Sequence, residues 1–138
     1  MAHVRRKFFQ AREQNPGVAN FVLCHIAALY RIEASLRKRR AGPALREADR
    51  ASASREILHR LGRALQILKS RFLPQSNMGK AVSYALSNWS SLQVYLTAGR
   101  VEVDNNLLEN AIRPTAIGKK NFLFIGAAEA GKKTAILY

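Results

Sequence analysis

Carboxylates and cations lie close together in one stretch of the chain, residues 101–126. Carboxylate oxygens are the ligands that Mg²⁺ prefers in proteins, and Lys and Arg side chains pair with phosphate groups. The stretch therefore holds candidate metal ligands beside candidate phosphate contacts. The carboxylates are Glu102, Asp104 and Glu109, and the cations are Arg113, Lys119 and Lys120.

Local patterns predict how this stretch is built. Apolar and acidic residues alternate over 101–104, which predicts a short half-buried strand near 101–103. Three possible N-cap residues follow at 104–106, and the next apolar residues have helical spacing. Pro114 should end or kink this short helix. Glu109 and Arg113 are four residues apart, so they share one face of it.

Spacing alone favours a structural role for the carboxylates. Asn106 followed three residues later by Glu109 fits a capping box, in which Glu109 bonds only a backbone N–H. A single carboxylate does not hold a catalytic metal pair. Asp104 is a possible further metal ligand, but a helix cap explains it more simply. Glu102 is interpreted as a surface residue.

The same stretch resembles the signature of the insertion-sequence-66 family of transposases. The resemblance implies a ribonuclease-H-like core in which Glu109 is the last member of an Asp-Asp-Glu triad that binds Mg²⁺ or Mn²⁺. Two positions depart from the family: Asn110 replaces a usual Arg, and Phe122 replaces a usual Trp. The matching residues are Asp104-Asn105-Asn106-x-x-Glu109, Ala111-Ile112-Arg113-Pro114 and Gly118-x-Lys120-Asn121-x-Leu123-Phe124-x-Gly126.

A second resemblance lies at the start of the chain. His3-Val4-Arg5-Arg6-Lys7-Phe8 is similar to the family motif Cys-Trp-Ala-His-x-Arg-Arg-Lys-Phe, and in that family both catalytic Asp residues lie upstream of it. The chain contains only Asp49 and Asp104, and neither matches those positions. The resemblance therefore implies a carboxy-terminal transposase fragment that binds no metal and neither cleaves nor joins DNA alone.

Composition points to a nucleic-acid partner. The net charge is +14 and the pI is near 10.9, so the surface should attract polyanions such as nucleic acid. Cys24 is the only cysteine, which suits a reducing cytosol, and no apolar run is long enough for a membrane span. The resemblance implies that the partner is DNA and the location the bacterial cytoplasm, nucleoid-associated at most. The candidate nucleic-acid contacts are Arg5, Arg6, Lys7, Arg113, Lys119 and Lys120.

The sequence pattern of the rest of the chain predicts a mainly α fold. Apolar periodicity predicts helices over 2–14, 18–40 and 43–72, the last frayed around 52–54, and a further helical region follows Ser76 up to a stop at Gly99. The two long helices should form an antiparallel hairpin, interpreted through the resemblance as a helical insertion in the core. Little β structure is expected beyond strands near 101–103 and 121–125. The predicted divisions are a partial catalytic core, 1–117, and the start of a carboxy-terminal extension, 118–138.

Other interpretations stay open. Residues 126–132 have the spacing of a phosphate-binding P-loop, but Lys133 stands where Ser or Thr should hold magnesium. The chain could also be a stand-alone basic helical protein that binds DNA or modulates transposition, or a small regulatory protein whose charge serves partner binding. As a fragment it should expose an apolar face and associate with itself or with an intact transposase.

Overall fold

The computed structural model describes residues 1–103, and all regular structure in that part is helical. This confirms the mainly α prediction, while the ribonuclease-H-like core stays a prediction. The helices are α1 (Ala2–Gln10), α2 (Pro16–Lys38), α3 (Pro43–Asp49), α4 (Arg55–Arg71), α5 (Asn77–Ser87) and α6 (Trp89–Gln93). Shorter turns are a 3₁₀ turn at Ala11–Glu13, a π turn at Arg50–Ser54 and a 3₁₀ turn at Val94–Leu96.

The long helix α2 begins and ends with recognisable signals. Pro16 occupies its first turn, where the missing N–H costs nothing. At its other end the Ala41 N–H donates to Leu36 O at 3.0 Å and the Arg40 N–H donates to Arg37 O at 2.9 Å. These bonds form a Schellman motif around Arg40, which has the left-handed φ of 52°. Glycine is the usual residue there, so Arg40 carries steric strain.

Helices α2 and α4 pack as the antiparallel hairpin that the sequence predicts. Leu29 of α2 shares a buried cluster with Leu58 of α4, and Ile26 shares another with Leu61 and Leu65. Each of these leucines is buried to within 1% of full burial, which stabilises the fold by about 1.5–3 kcal/mol per side chain. Helices α1 and α5 complete the larger cluster, through residues that include Val4, Phe8, Met78, Val82 and Ala85.

The region predicted to fray at 52–54 is instead a π turn. Residues Arg50–Ser54 continue the helical path between α3 and α4 without a break. The wider turn leaves both Arg50 and Ser54 fully buried. Because π turns are rare and often mark functional positions, Arg50 at the start of this turn is a candidate functional residue.

The buried stripes of the hairpin are narrow. Phe21 and Cys24 of α2 and Ile67 of α4 have core-type side chains, but all three are exposed. Phe21 and Ile67 instead line an apolar surface groove with Val18 and Leu68. No residue of the described part covers this groove, and self-association through an apolar surface stays a prediction.

Two side chains position α5 and α6. The Ser76 Oγ accepts the Gly79 N–H at 3.0 Å, so Ser76 caps the amino end of α5. Trp89 is partly buried against both apolar clusters. A Cβ on Gly62 would lie 2.8 Å from the Trp89 ring, so a glycine in α4 makes room for the indole.

Candidate functional site

The predicted strand near 101–103 is wrong. Residues 101–103 have bends and no strand pairing, and no strand occurs anywhere in residues 1–103. The alternation itself is real, since Val103 is 6% exposed whereas Val101 is 41% exposed. Val103 packs on Leu29 and Leu58. Alternating burial arises here from packing on helices rather than from a sheet.

Glu102 lies between two helices rather than free on the surface. Its carboxylate accepts hydrogen bonds from Arg46 Nη1 of α3 at 2.7 Å and from Arg37 Nη1 of α2 at 3.1 Å. The hydrogen bond from Arg46 lowers the pKa of the Glu102 carboxyl, and the charges of Arg46 and Arg37 lower it further against a partial desolvation. Glu102 is therefore a charged link from the carboxyl end of α2 to α3.

Gly99 makes a second link to α3. Its N–H donates to Glu47 Oε1 at 2.8 Å. A Cβ on Gly99 would lie only 2.1 Å from Pro43 O. Gly99 does follow the last helical turn, but its φ is not positive, since no glycine of the described part has positive φ. The position requires glycine because another backbone approaches closely.

Arg50 makes a third link, in the interior. Its Nε and Nη2 donate to the two oxygens of Glu33, each at 2.8 Å, and both side chains are fully buried. Its Nη1 donates to Tyr95 O at 2.9 Å and to Ala98 O at 3.0 Å. The guanidinium carbon also lies 5.1 Å from the centre of the Tyr95 ring. The Arg50 side chain thereby supplies hydrogen-bond donors to a buried carboxylate and to two backbone carbonyls.

The side chain of Tyr95 is also buried away from solvent. Burial raises the pKa of its phenol, and the neighbouring Ser54 hydroxyl lowers it in part. The two hydroxyl oxygens do not meet normal hydrogen-bond geometry, and neither has another partner within the described part. Buried polar groups without partners are uncommon, so this corner of the core carries an energetic cost.

Together these links fix residues 95–102 against α2, α3 and the π turn. Charged side chains of the hairpin contact this segment at Glu102, at Gly99 and at two carbonyls. The segment leads directly into the motif that contains Glu109. The hairpin therefore anchors the chain on the amino-terminal side of that motif.

The basic residues predicted on α1 lie where the sequence places them. Val4, Phe8 and Ala11 form the buried strip, and Arg5 and Arg6 are exposed. The Lys7 ammonium lies 4.7 Å from the centre of the Tyr84 ring of α5, a cation–π contact. Arg5 and Arg6 are therefore open to a partner, whereas Lys7 is half-buried.

The other predicted site residues lie outside the described residues. They are Asp104, Glu109, Arg113, Lys119 and Lys120, and the same holds for the strand near 121–125 and the P-loop-like spacing at 126–132. Within residues 1–103, no group of three His, Cys, Asp or Glu side chains could hold a metal ion. No helix of that part is long and apolar enough to cross a membrane.

Sequence reasoning missed the buried pair of Glu33 and Arg50. The available signal was in α2, where Glu33 falls at helical spacing with Ile26, Leu29 and Leu36 on the buried stripe. A carboxylate on such a stripe needs a buried cation.

Comparison with known families finds a match to the model described as "Transposase IS66 family", over residues 1–133. That match covers nearly the whole chain, including both motifs. The chain belongs to the IS66 family of transposases. This confirms the resemblance in both motifs, and the match spans Glu109.

Three curated relatives, all from Sinorhizobium fredii (strain NBRC 101917 / NGR234), are similar to this IS66-family chain. It is 31% identical over 138 residues to "Uncharacterized protein y4jD", covering 99% of this chain and 27% of the relative. It is 34% identical over 137 residues to "Uncharacterized protein y4qI", covering 97% and 25%. The third, y4hP, is 26% identical. The chain thus spans about a quarter of the length of these relatives. No solved structure matches.

Proposed function

We propose that this chain supplies the carboxy-terminal part of the catalytic region of an IS66-type transposase, which moves DNA by metal-dependent phosphoryl transfer. The observation that carries the proposal is the family match over residues 1–133, which includes Glu109 in its motif. The chain spans about a quarter of the length of the curated relatives, which supports a role as one part of a larger catalytic unit.

In this proposal Glu109 is one of three carboxylates that hold two divalent ions. The other two come from outside these 138 residues. The carboxylates of the described part support this, because five of the six already have a hydrogen-bond or ion-pair partner there. Those five are Glu33, Glu47, Asp49, Glu56 and Glu102. The described residues do not by themselves form a complete metal centre.

DNA is the proposed partner, held through its phosphates. Residues 1–103 contain eighteen Lys and Arg against six Asp and Glu, an excess of twelve positive charges. Arg5 and Arg6 are exposed on α1, and Lys7 lies beside them. Arg113, Lys119 and Lys120 are the proposed contacts beyond the described residues. Such contacts release counterions from DNA and make binding fall steeply with salt. A DNA-bound role places the protein in the bacterial cytoplasm.

A reconstitution assay tests the proposal. The chain is incubated with plasmid DNA and Mg²⁺ or Mn²⁺, alone and with an upstream segment of an IS66-family transposase that carries the Asp residues. We expect no nicking or strand transfer by the chain alone, because one carboxylate does not hold two metal ions. Activity should appear with the upstream segment. Metal-dependent nicking by the chain alone would refute the proposal.

A stand-alone DNA-binding or transposition-modulating protein is the second candidate. The observation in its favour is that residues 1–103 have an extensive apolar core of their own. In that case the chain should bind DNA and inhibit or stimulate an intact transposase, and it should restore no activity to an upstream segment. Association with itself or with an intact transposase would accompany either role.

A further inference from the structure

The carboxylates of the described part neutralise a limited set of its cations. Asp49 pairs with Arg39, Glu56 with Arg60, Glu33 with Arg50, and Glu102 with Arg37 and Arg46. Three of these five arginines belong to α2, α3 or the π turn that joins α3 to α4, and a fourth, Arg39, directly follows α2. The internal ion pairs therefore concentrate at one end of the hairpin, and most of α4 is left with unneutralised charge.

The outer face of α4 carries a row of three basic side chains, of which the two arginines carry the formal charge. Arg55, His59 and Arg63 are spaced four residues apart, all exposed, on the side of α4 away from Leu61 and Leu65. Neither Arg55 nor Arg63 has a hydrogen bond or ion pair with another described residue. Glu56 is the one carboxylate in α4, and Arg60 already binds it at 2.8 Å.

The row has little use inside the described fold, where Arg63 attracts the Glu56 carboxylate only through its charge while Arg60 makes the hydrogen bond to that carboxylate. Each step along the row is about 6 Å at 1.5 Å rise per residue, so long arginine side chains can reach separate phosphates. Helix α4 has no aromatic residue on which a base could stack. The chemistry of the row suits the DNA backbone and gives no base readout.

We propose that the outer face of α4, with Arg55 and Arg63 as its principal contacts, is a second DNA-binding surface that holds the phosphate backbone independently of sequence. The inference rests on the proposed function, since it takes DNA as the partner. It goes further by assigning a role to the helical hairpin, which no motif identified as a DNA contact. The hairpin then has two functions: it anchors residues 95–102, and it holds DNA.

The test is the salt dependence of duplex DNA binding by the full 138-residue chain. R55Q/R63Q is compared with R31Q/K80Q, which removes the same two charges from exposed residues of α2 and α5 that have no ion pair in the described part. Each phosphate contact contributes about −0.9 to the slope of log K against log salt. We expect R55Q/R63Q to reduce the magnitude of the slope by about two. R31Q/K80Q should leave it nearly unchanged.

Between about 50 and 200 mM salt, wild type should lose about ten-fold more affinity than R55Q/R63Q. Equal effects of the two double variants would overturn the inference, because the row would then act only as general charge, while the proposed function would survive. A wild-type chain that binds no duplex at the lower salt would overturn both. Circular dichroism should show the same helicity in all three proteins, since none of the four side chains is buried.

Discussion

Arg50 and Glu33 form a bidentate ion pair in the core, with both side chains fully buried and both N–O distances at 2.8 Å. The pair joins the π turn to α2, and the third Arg50 nitrogen bonds the carbonyls of Tyr95 and Ala98. Burying two charges is costly, but once both are buried each requires the other. Because the same Arg50 side chain bonds the carbonyls of Tyr95 and Ala98, the ion pair also stabilises residues 95–102.

Arg50→Met should destabilise the protein by about 3–5 kcal/mol, because it leaves the Glu33 carboxylate buried without a partner. E33L/R50M should be less destabilised than R50M, since only the two carbonyls then lose their donor. Urea unfolding followed by circular dichroism measures both values. An R50M protein within about 1 kcal/mol of wild type, or a double variant less stable than R50M, would contradict this account.

Removal of the Glu102 charge should make stability less sensitive to acid. The pKa of Glu102 is lower in the folded chain than in the unfolded one. Its stabilisation is therefore full above the ordinary carboxyl pKa and is lost as pH falls through the folded-state value. The side chain is 29% exposed, so the effect should be about 0.5–1 kcal/mol.

The measurement is the difference in free energy of unfolding between wild type and E102Q, at neutral pH and at about pH 3. The difference should be present at neutral pH and should shrink in acid. E13Q is the control, because Glu13 is exposed and has no ion pair within the described residues. A difference that stays constant with pH would show that the Glu102 charge contributes nothing.

The sequence predicts the helices well and the polar links poorly. Helix α2 is predictable because Ile26, Leu29 and Leu36, which are all apolar and fully buried, repeat at helical spacing. The partner of Glu33 is seventeen residues away in another element, and no local pattern identifies it. The 101–103 alternation shows the same limit, since it reports which side chains are buried and not whether a sheet or a helix buries them.

Gly99→Ala should destabilise the protein by about 1–3 kcal/mol, the usual cost of overpacking. The new methyl group would meet the backbone oxygen of Pro43, which has no rotamer with which to avoid it. Gly17→Ala is the matched control, because nothing lies within 4 Å of a Cβ there. It should be neutral or stabilise α2 by up to about 1 kcal/mol. Equal thermal midpoints for the two variants would refute the close approach at Gly99.

Arg40→Gly should stabilise the protein by about 0.5–1 kcal/mol. Glycine adopts the left-handed conformation at the end of α2 without the steric cost of about 1–2 kcal/mol that a side chain incurs, although it gains entropy when unfolded. Arg40→Ala keeps the side-chain strain and removes the same charge, so it separates the two effects. If R40A stabilised the protein as much as R40G, charge repulsion within 37–40 rather than backbone strain would be the cause.

The central claim, that Glu109 is a metal-binding catalytic carboxylate, is tested most directly by comparing E109Q with E129Q in the reconstituted strand-transfer assay. Both variants remove one carboxylate from the part of the chain beyond residue 103. The account predicts that E109Q abolishes metal-dependent strand transfer while E129Q retains it. Strand transfer by E109Q at the wild-type rate would contradict the account.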